Sequence, residues 1–212
     1  MPNFPNGLYG ILTEKLCGGR SIIETARIMA EEGVAIIQYR EKEDKPKKIQ
    51  YEECLEIRKI TREYGEIFIV NDSLDLALAC DADGVHIGQD DLPPAVVRSL
   101  VGSRIIGLST HSPEQAQKAY QDGIVDYIGV GPLFPTQTKI HPEGPVGLTY
   151  LDYVVNNIPL PFVAIGGIKE HNIESVLQHG AKTICLVTEI TQAENIREKI
   201  TRLREILRRY GI

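Results

Sequence analysis

The stretch Ile105-Ile106-Gly107-Leu108-Ser109-Thr110, followed at once by His111-Ser112-Pro113-Glu114-Gln115, holds one structural step in miniature. Its first six residues are rich in branched apolar side chains, as a parallel strand covered on both faces requires. Ser112 with Gln115 three residues later has the form of a helix capping box. Pro113 suits the first helical turn, where a missing N–H costs nothing. A strand handing over to a helix in this way is one β/α unit.

The same unit recurs on either side. Short apolar runs lie at residues 8–13, 34–40, 67–71, 84–88, 105–110, 126–131, 162–168 and 183–190. Between them, amphipathic segments have readable ends. Ser21 precedes Ile22, Ala26 and Met29, and Gly33 closes that segment; Ile196, Ile200, Leu203 and Leu207 form one apolar face near the C-terminus. Eight units in 212 residues leave about 26 residues each, which fits a compact (β/α)8 TIM barrel as one domain over residues 1–212. An open doubly wound sheet would carry a glycine fingerprint after its first strand. Here Glu14-Lys15-Leu16-Cys17-Gly18-Gly19 stands there instead.

Composition narrows the partners. Apolar residues make up 42% of the chain, enough for one sizeable core, and the net charge is −6 with no basic block. Nucleic acid and anionic membranes are therefore disfavoured, and any phosphate must be held by a local cluster of donors. Cys17, Cys54, Cys80 and Cys185 form no CxxC pair and read as reduced, mostly buried thiols. The first residues lack the basic and apolar regions of a signal peptide, and no apolar run approaches the roughly 18 residues of a membrane span. The expectation is a cytoplasmic enzyme; a homo-oligomer is compatible with the sequence.

In such a barrel the C-terminal ends of the strands line the active site. The second run ends in Gln38-Tyr39-Arg40-Glu41-Lys42, where alternation puts Gln38, Arg40 and Lys42 on one side. An amide, a guanidinium fork and an ammonium suit a diphosphate. A solvated loop start, paired with Glu41, is the plainer reading. The third run ends in Asn71-Asp72, and the fourth leads into Gly88-Gln89-Asp90-Asp91. Asp72 and Asp91, on neighbouring strand ends, could share a magnesium ion, or each could cap the helix that follows. Ser109 and His111 end the fifth run, the histidine more simply structural than catalytic. After the sixth run, Thr136-Gln137-Thr138-Lys139 gives a long loop hydroxyls and a cation with which to close over a ligand. Gly166-Gly167 after the seventh run, with Val187 and Thr188 in the eighth, occupy the frequent phosphate position of these barrels. Tight packing at the rim would also use paired glycines. Two anion sites, a metal and a closing loop suggest two phosphorylated ligands side by side.

Gln38-Tyr39-Arg40-Glu41-Lys42, Val70-Asn71-Asp72, His86-Ile87-Gly88-Gln89-Asp90-Asp91, Gly131-Pro132 through Pro135-Thr136-Gln137-Thr138-Lys139, and Ile165-Gly166-Gly167-Ile168 follow one another in order. Together they resemble the thiamine-phosphate synthase family over essentially the whole barrel. The resemblance implies joining of a hydroxymethylpyrimidine diphosphate to a thiazole phosphate (or its carboxylated form), with release of pyrophosphate. It implies that Gln38, Tyr39, Arg40, Glu41, Lys42, Asn71 and Lys139 bind the diphosphate substrate and that Asp72 and Asp91 hold Mg²⁺. Ser109 would lie at the pyrimidine, while Thr136, Gln137, Thr138, Gly167, Val187 and Thr188 bind the thiazole phosphate. Arg40, Lys139 and Ser109 would be the catalytic residues, acting as pyrophosphate departs from a transient pyrimidinylmethyl cation. Glu189 departs from the family pattern, which often has a small residue there, and its charge would repel a phosphate. The alternative is a thiazole tautomerase, an isomerase whose members resemble the chain around Ser109 to His111 but tend to lack the acid pair and the Thr-x-Thr-Lys loop. A non-catalytic phosphate-binding barrel is a third reading.

Overall fold

The computed structural model describes residues 4–41, 45–136 and 144–212. Eight apolar runs become eight parallel strands: β1 (Gly7–Leu12), β2 (Ile36–Tyr39), β3 (Ile67–Asn71), β4 (Gly84–Ile87), β5 (Ile105–Thr110), β6 (Tyr127–Val130), β7 (Phe162–Ala164) and β8 (Thr183–Leu186). Tyr9 of β1 pairs with Ile36 of β2 on one side and with Cys185 of β8 on the other, so the sheet closes into a barrel. Closure satisfies the backbone groups that an edge strand would leave open.

The outer ring consists of α1 (Ile22–Glu31), α2 (Lys47–Tyr64), α3 (Leu74–Ala79), α4 (Pro94–Val101), α5 (Pro113–Asp122), α6 (Gly147–Asn157), α7 (Ile173–Gln178), α8 (Thr188–Thr191) and α9 (Ile196–Arg209). Ser21 accepts the Glu24 N–H at 3.0 Å and Ser112 that of Gln115 at 3.3 Å, so both expected caps form. Strand alternation then sorts the core into two layers. Leu8, Leu12, Ile37, Val70 and Ile128 face the helices, whereas Tyr9, Ile11, Ile36, Ile69, Tyr127 and Val163 fill the barrel interior. The four cysteines are buried and free. Among the described residues, no helix is long and apolar enough to cross a membrane.

β7 and β8 fall furthest short of their apolar runs. β7 stops at Ala164 because Gly166 and Gly167 turn to φ of 98° and 64°. β8 stops at Leu186, where Val187 leaves strand geometry at φ −104° and ψ −91°. The Val187 carbonyl accepts the N–H groups of Ile190 and Thr191, at 3.0 and 2.9 Å, and starts α8. Thr188 therefore opens a helical turn, where the sequence alone suggested more strand.

The rim opposite the strand C-termini is tied by a repeated device. Asp83, just before β4, accepts the Phe68 N–H at 2.8 Å and a two-pronged Arg58 contact at 2.7 and 2.8 Å. Asp126, just before β6, accepts the Ile106 N–H at 2.8 Å and Arg98 at 2.7 Å. Each carboxylate joins a strand start to a helix, and the Arg58 side chain keeps only 13% of its surface exposed. Asp83→Ala should therefore lower stability by about 2 kcal/mol, the usual cost of losing hydrogen bonds to a charged group. In a domain of this size that means a Tm loss of roughly 4–8 °C with turnover unchanged at moderate temperature. Thermal denaturation alongside steady-state kinetics checks this; an unchanged Tm would show the latch to be dispensable.

Candidate active site at the strand C-termini

Among the described residues, three cavities meet at the C-terminal rim. A narrow one of about 80 Å³ reaches into the barrel and is lined by Gln38, Arg40, Asn71, His86 and Ser109, among others. A second of about 80 Å³ lies above it, sharing Arg40 and Ser109 and adding His111 and Thr136. The third, about 470 Å³, is bounded by Thr136, Gly167, Lys169, Val187 and Thr188. Ile165 lines all three, so they form one cleft with two polar ends. Of the residues expected at the ligands, Gln38, Arg40, Asn71 and Ser109 line the narrow cavity, Gly167, Val187 and Thr188 the large one, and Thr136 the large one and the cavity between.

At the first end, β2 alternation sends Gln38 inward, and its Nε2 donates to the Tyr9 hydroxyl at 2.7 Å. Burial pulls the Arg40 guanidinium below its ordinary pKa, while Asp72 and Glu41 push it back up. Tyr39 and Glu41 turn the other way. The Tyr39 hydroxyl donates to Glu53 at 2.7 Å, and Glu41 Oε2 accepts the Glu14 N–H at 3.2 Å and pairs with Lys45 at 3.4 Å. Their side chains brace β2 against its surroundings, so a ligand would meet these two positions through the backbone. Lys42, Gln137, Thr138 and Lys139 lie outside the described residues.

Neither acid of the expected metal pair serves as a helix cap. Ser73 and Pro93 hold the N-cap positions of α3 and α4, neither with a side-chain capping bond. Asp72 sits instead at a left-handed φ of 59°, its N–H bonded to the His86 carbonyl at 2.9 Å. Asp91 folds back so that Oδ2 accepts the Gly88 N–H at 2.7 Å. The two acids are thereby anchored to positions two residues apart on β4 and its extension. Among the described residues no three His, Cys, Asp or Glu side chains form a metal cage. A pair is nevertheless a fitting donor set for magnesium, which takes one or two carboxylates and completes its shell with water and substrate oxygens.

At the second end, the glycines have a packing reason. A Cβ on Gly166 would lie 2.3 Å from Pro132 Cα, and one on Gly167 would lie 2.5 Å from the Pro135 carbonyl oxygen. Left-handed backbone and contact with the loop after β6 both demand glycine there. The concern over Glu189 resolves. Its Oε1 takes the Lys199 ammonium at 2.8 Å, and its Oε2 lies 3.4 Å from Lys169. Burial pushes the Glu189 carboxyl up, but the Lys199 bond and charge outweigh it and hold it below the usual value. Glu189 is thus ion-paired away from solvent, within a cluster in which Lys199 also holds Glu170 at 2.5 Å.

Sequence reasoning missed four residues. Lys169, directly after the glycine turn, donates to Thr188 Oγ1 at 2.8 Å and brings a cation to the large cavity. Tyr9, His86 and Tyr127 lie inside strands, hidden within apolar runs. His86 Nε2 meets Ser109 Oγ at 2.9 Å, His86 Nδ1 meets the Tyr127 hydroxyl at 2.8 Å, and that hydroxyl meets Tyr9 at 3.0 Å. A histidine at an inward-facing position of a strand was the available signal. His111 is fastened elsewhere, its Nδ1 donating to the Gly131 carbonyl at 2.5 Å and its N–H to Gln115 Oε1 at 2.7 Å.

Known proteins agree with this geometry. Residues 8–190 match the family model described as thiamine monophosphate synthase. The chain is 61% identical over 203 residues to the thiamine-phosphate synthase of Pelotomaculum thermopropionicum, covering 95% of this chain and 92% of that one. It is 54% identical over 201 residues to that of Lawsonia intracellularis, covering 94% and 92%. The solved thiamine phosphate pyrophosphorylase of Pyrococcus furiosus is 36% identical, with a TM-score of 0.86 and 96% of each chain covered. A 3-hexulose-6-phosphate synthase, 17% identical at a TM-score of 0.64 over 94% of this chain and 98% of its own, shares the fold alone. A family model matching residues 8–190 and relatives of this identity over more than nine-tenths of each chain mean that the chain belongs to the thiamine monophosphate synthase family.

Proposed function

We propose that the chain joins 4-amino-2-methyl-5-hydroxymethylpyrimidine diphosphate to 4-methyl-5-(2-hydroxyethyl)thiazole phosphate, forming thiamine phosphate and pyrophosphate. One observation carries this reading beyond family membership: the two polar ends share a single cleft whose common wall is Ile165. Two phosphorylated molecules can lie there with their reacting atoms adjacent and their phosphates apart, so binding also supplies orientation.

In the reaction the bond from the pyrimidine methylene carbon to the diphosphate oxygen breaks, and the pair of electrons leaves with pyrophosphate. The thiazole nitrogen then gives its lone pair to that carbon. Arg40, a cation at any working pH that lines the narrow cavity, would hold the departing oxygens. Lys42 and Lys139 would add charge at the same end. Magnesium bound by Asp72 and Asp91 would supply further positive charge against the pyrophosphate. Ile11, Ile165 and Val187 keep the middle of the cleft apolar, which matters because water would trap the methylene cation as an alcohol. Lys169 and Thr188 offer a cation and a hydroxyl to the thiazole phosphate. Four free buried thiols suit a reducing cytoplasm.

The reaction itself is tested by mixing both substrates with and without magnesium and measuring pyrophosphate. Release should need all three components; release without the thiazole phosphate would contradict coupling. Asp91→Asn should fold normally yet lose roughly 10–100-fold in magnesium-dependent turnover. Full activity in that variant would remove Asp91 from the metal site. Lys169→Ala should raise KM for the thiazole phosphate by roughly 10–100-fold, the worth of one charge-assisted contact. KM for the pyrimidine diphosphate should stay put. Equal losses for both substrates would place Lys169 in rim structure instead.

A further inference from the structure

A chain of hydrogen bonds crosses the barrel beneath the cleft: Gln38 to Tyr9 at 2.7 Å, Tyr9 to Tyr127 at 3.0 Å, Tyr127 to His86 at 2.8 Å, His86 to Ser109 at 2.9 Å. Tyr9 is 2% exposed and Tyr127 wholly buried, both at the wall of the narrow cavity, and each phenol finds its hydrogen-bond partners within the protein. Phenylalanine would fill the same space without that demand, so packing does not account for the hydroxyls. The neighbouring strand makes room for the chain. A Cβ on Gly107 would lie 2.1 Å from the Tyr127 ring and 2.5 Å from His86 Nδ1.

The direction of the bonds follows from the first donor. The Gln38 amide nitrogen can only donate, so the Tyr9 oxygen accepts and passes its own proton to Tyr127. Tyr127 then donates to His86 Nδ1. That leaves the imidazole proton on Nε2, donating to Ser109 Oγ, and the Ser109 proton is turned outward. Burial raises the pKa of both phenols, which keeps them protonated as this order requires. Gln38 and Ser109 both line the narrow cavity, the first with its unused amide oxygen, the second with its hydroxyl proton.

We propose that Tyr127 and Tyr9 are positioning residues, which fix the tautomer of His86 and thereby make Ser109 a donor while Gln38 is an acceptor. The cleft floor then selects a heteroaromatic edge that carries a ring-nitrogen acceptor beside an exocyclic amino donor. This deepens the reading of the pyrimidine end and rests on it for the identity of the ring.

Nitrogen-15 NMR of the ligand-free protein tests the tautomer apart from any substrate, with the His86 signals assigned by their loss in His86→Asn. Wild-type His86 should be the Nε2–H form, whereas Tyr127→Phe, and separately Tyr9→Phe, should give a mixture. Both variants keep Ser109, His86 and the ring volumes, and circular dichroism checks that they fold. Each should lose about ten-fold in kcat/KM for the pyrimidine diphosphate, the worth of one well-placed hydrogen bond, with KM for the thiazole phosphate unchanged. An Nδ1–H tautomer in the wild type, or a tautomer and kinetics indifferent to both substitutions, would overturn the proposal. A mixed tautomer in Tyr127→Phe beside a wild type inactive in coupling would support the relay and reject the substrate reading.

Discussion

The pairing of β1 with both β2 and β8 is the constraint on which the rest depends. Once the sheet closes with every strand parallel, all eight C-terminal ends must share one rim. Arg40, Ser109, Ile165 and Thr188, distant in the chain, become neighbours for that reason alone. The opposite rim is free for stability, and there Asp83 with Arg58 and Asp126 with Arg98 bind strand starts to helices. Function and stability thus occupy different ends of the same strands.

Electrostatics is arranged locally because the whole protein cannot help. With a net charge of −6, the overall field disfavours phosphates, and capture must come from close contacts. Arg40 lines one end of the cleft and Lys169 the other, the cations the proposed reaction would use. Glu189 would oppose the second, but Lys199 answers its charge from α9. Between the ends Ile11, Ile165 and Val187 make much of the wall apolar, which strengthens the charge contacts made beside it.

Much of this was legible in the sequence, for identifiable reasons. β3 and β5 have the bounds their apolar runs suggest, since Asp72 and His111 end those runs abruptly. β8 was overextended because Val187, Thr188 and Ile190 are β-branched and mimic more strand, while the turn into α8 is a matter of backbone angles. Arg40, Asn71 and Ser109 could be placed at the cleft from alternation and strand ends alone. The same alternation, pressed residue by residue, would have turned Tyr39 and Glu41 away. Gly167 illustrates a different limit: its place at the rim was legible, but its collision partner Pro135 comes from another loop and is visible only in three dimensions. Tyr9, His86 and Tyr127 were given no role because a polar side chain inside an apolar run gains meaning only from the strands beside it.

The central claim is that one cleft holds the two substrates end to end across Ile165. A crystal structure with thiamine phosphate and pyrophosphate bound together tests it most directly. The account predicts the pyrimidine over Gln38 and Ser109, the thiazole phosphate beside Gly167, Lys169 and Thr188, and pyrophosphate at Arg40. A product phosphate seated at Arg40, or a pyrimidine in the large cavity beside Lys169, would contradict it.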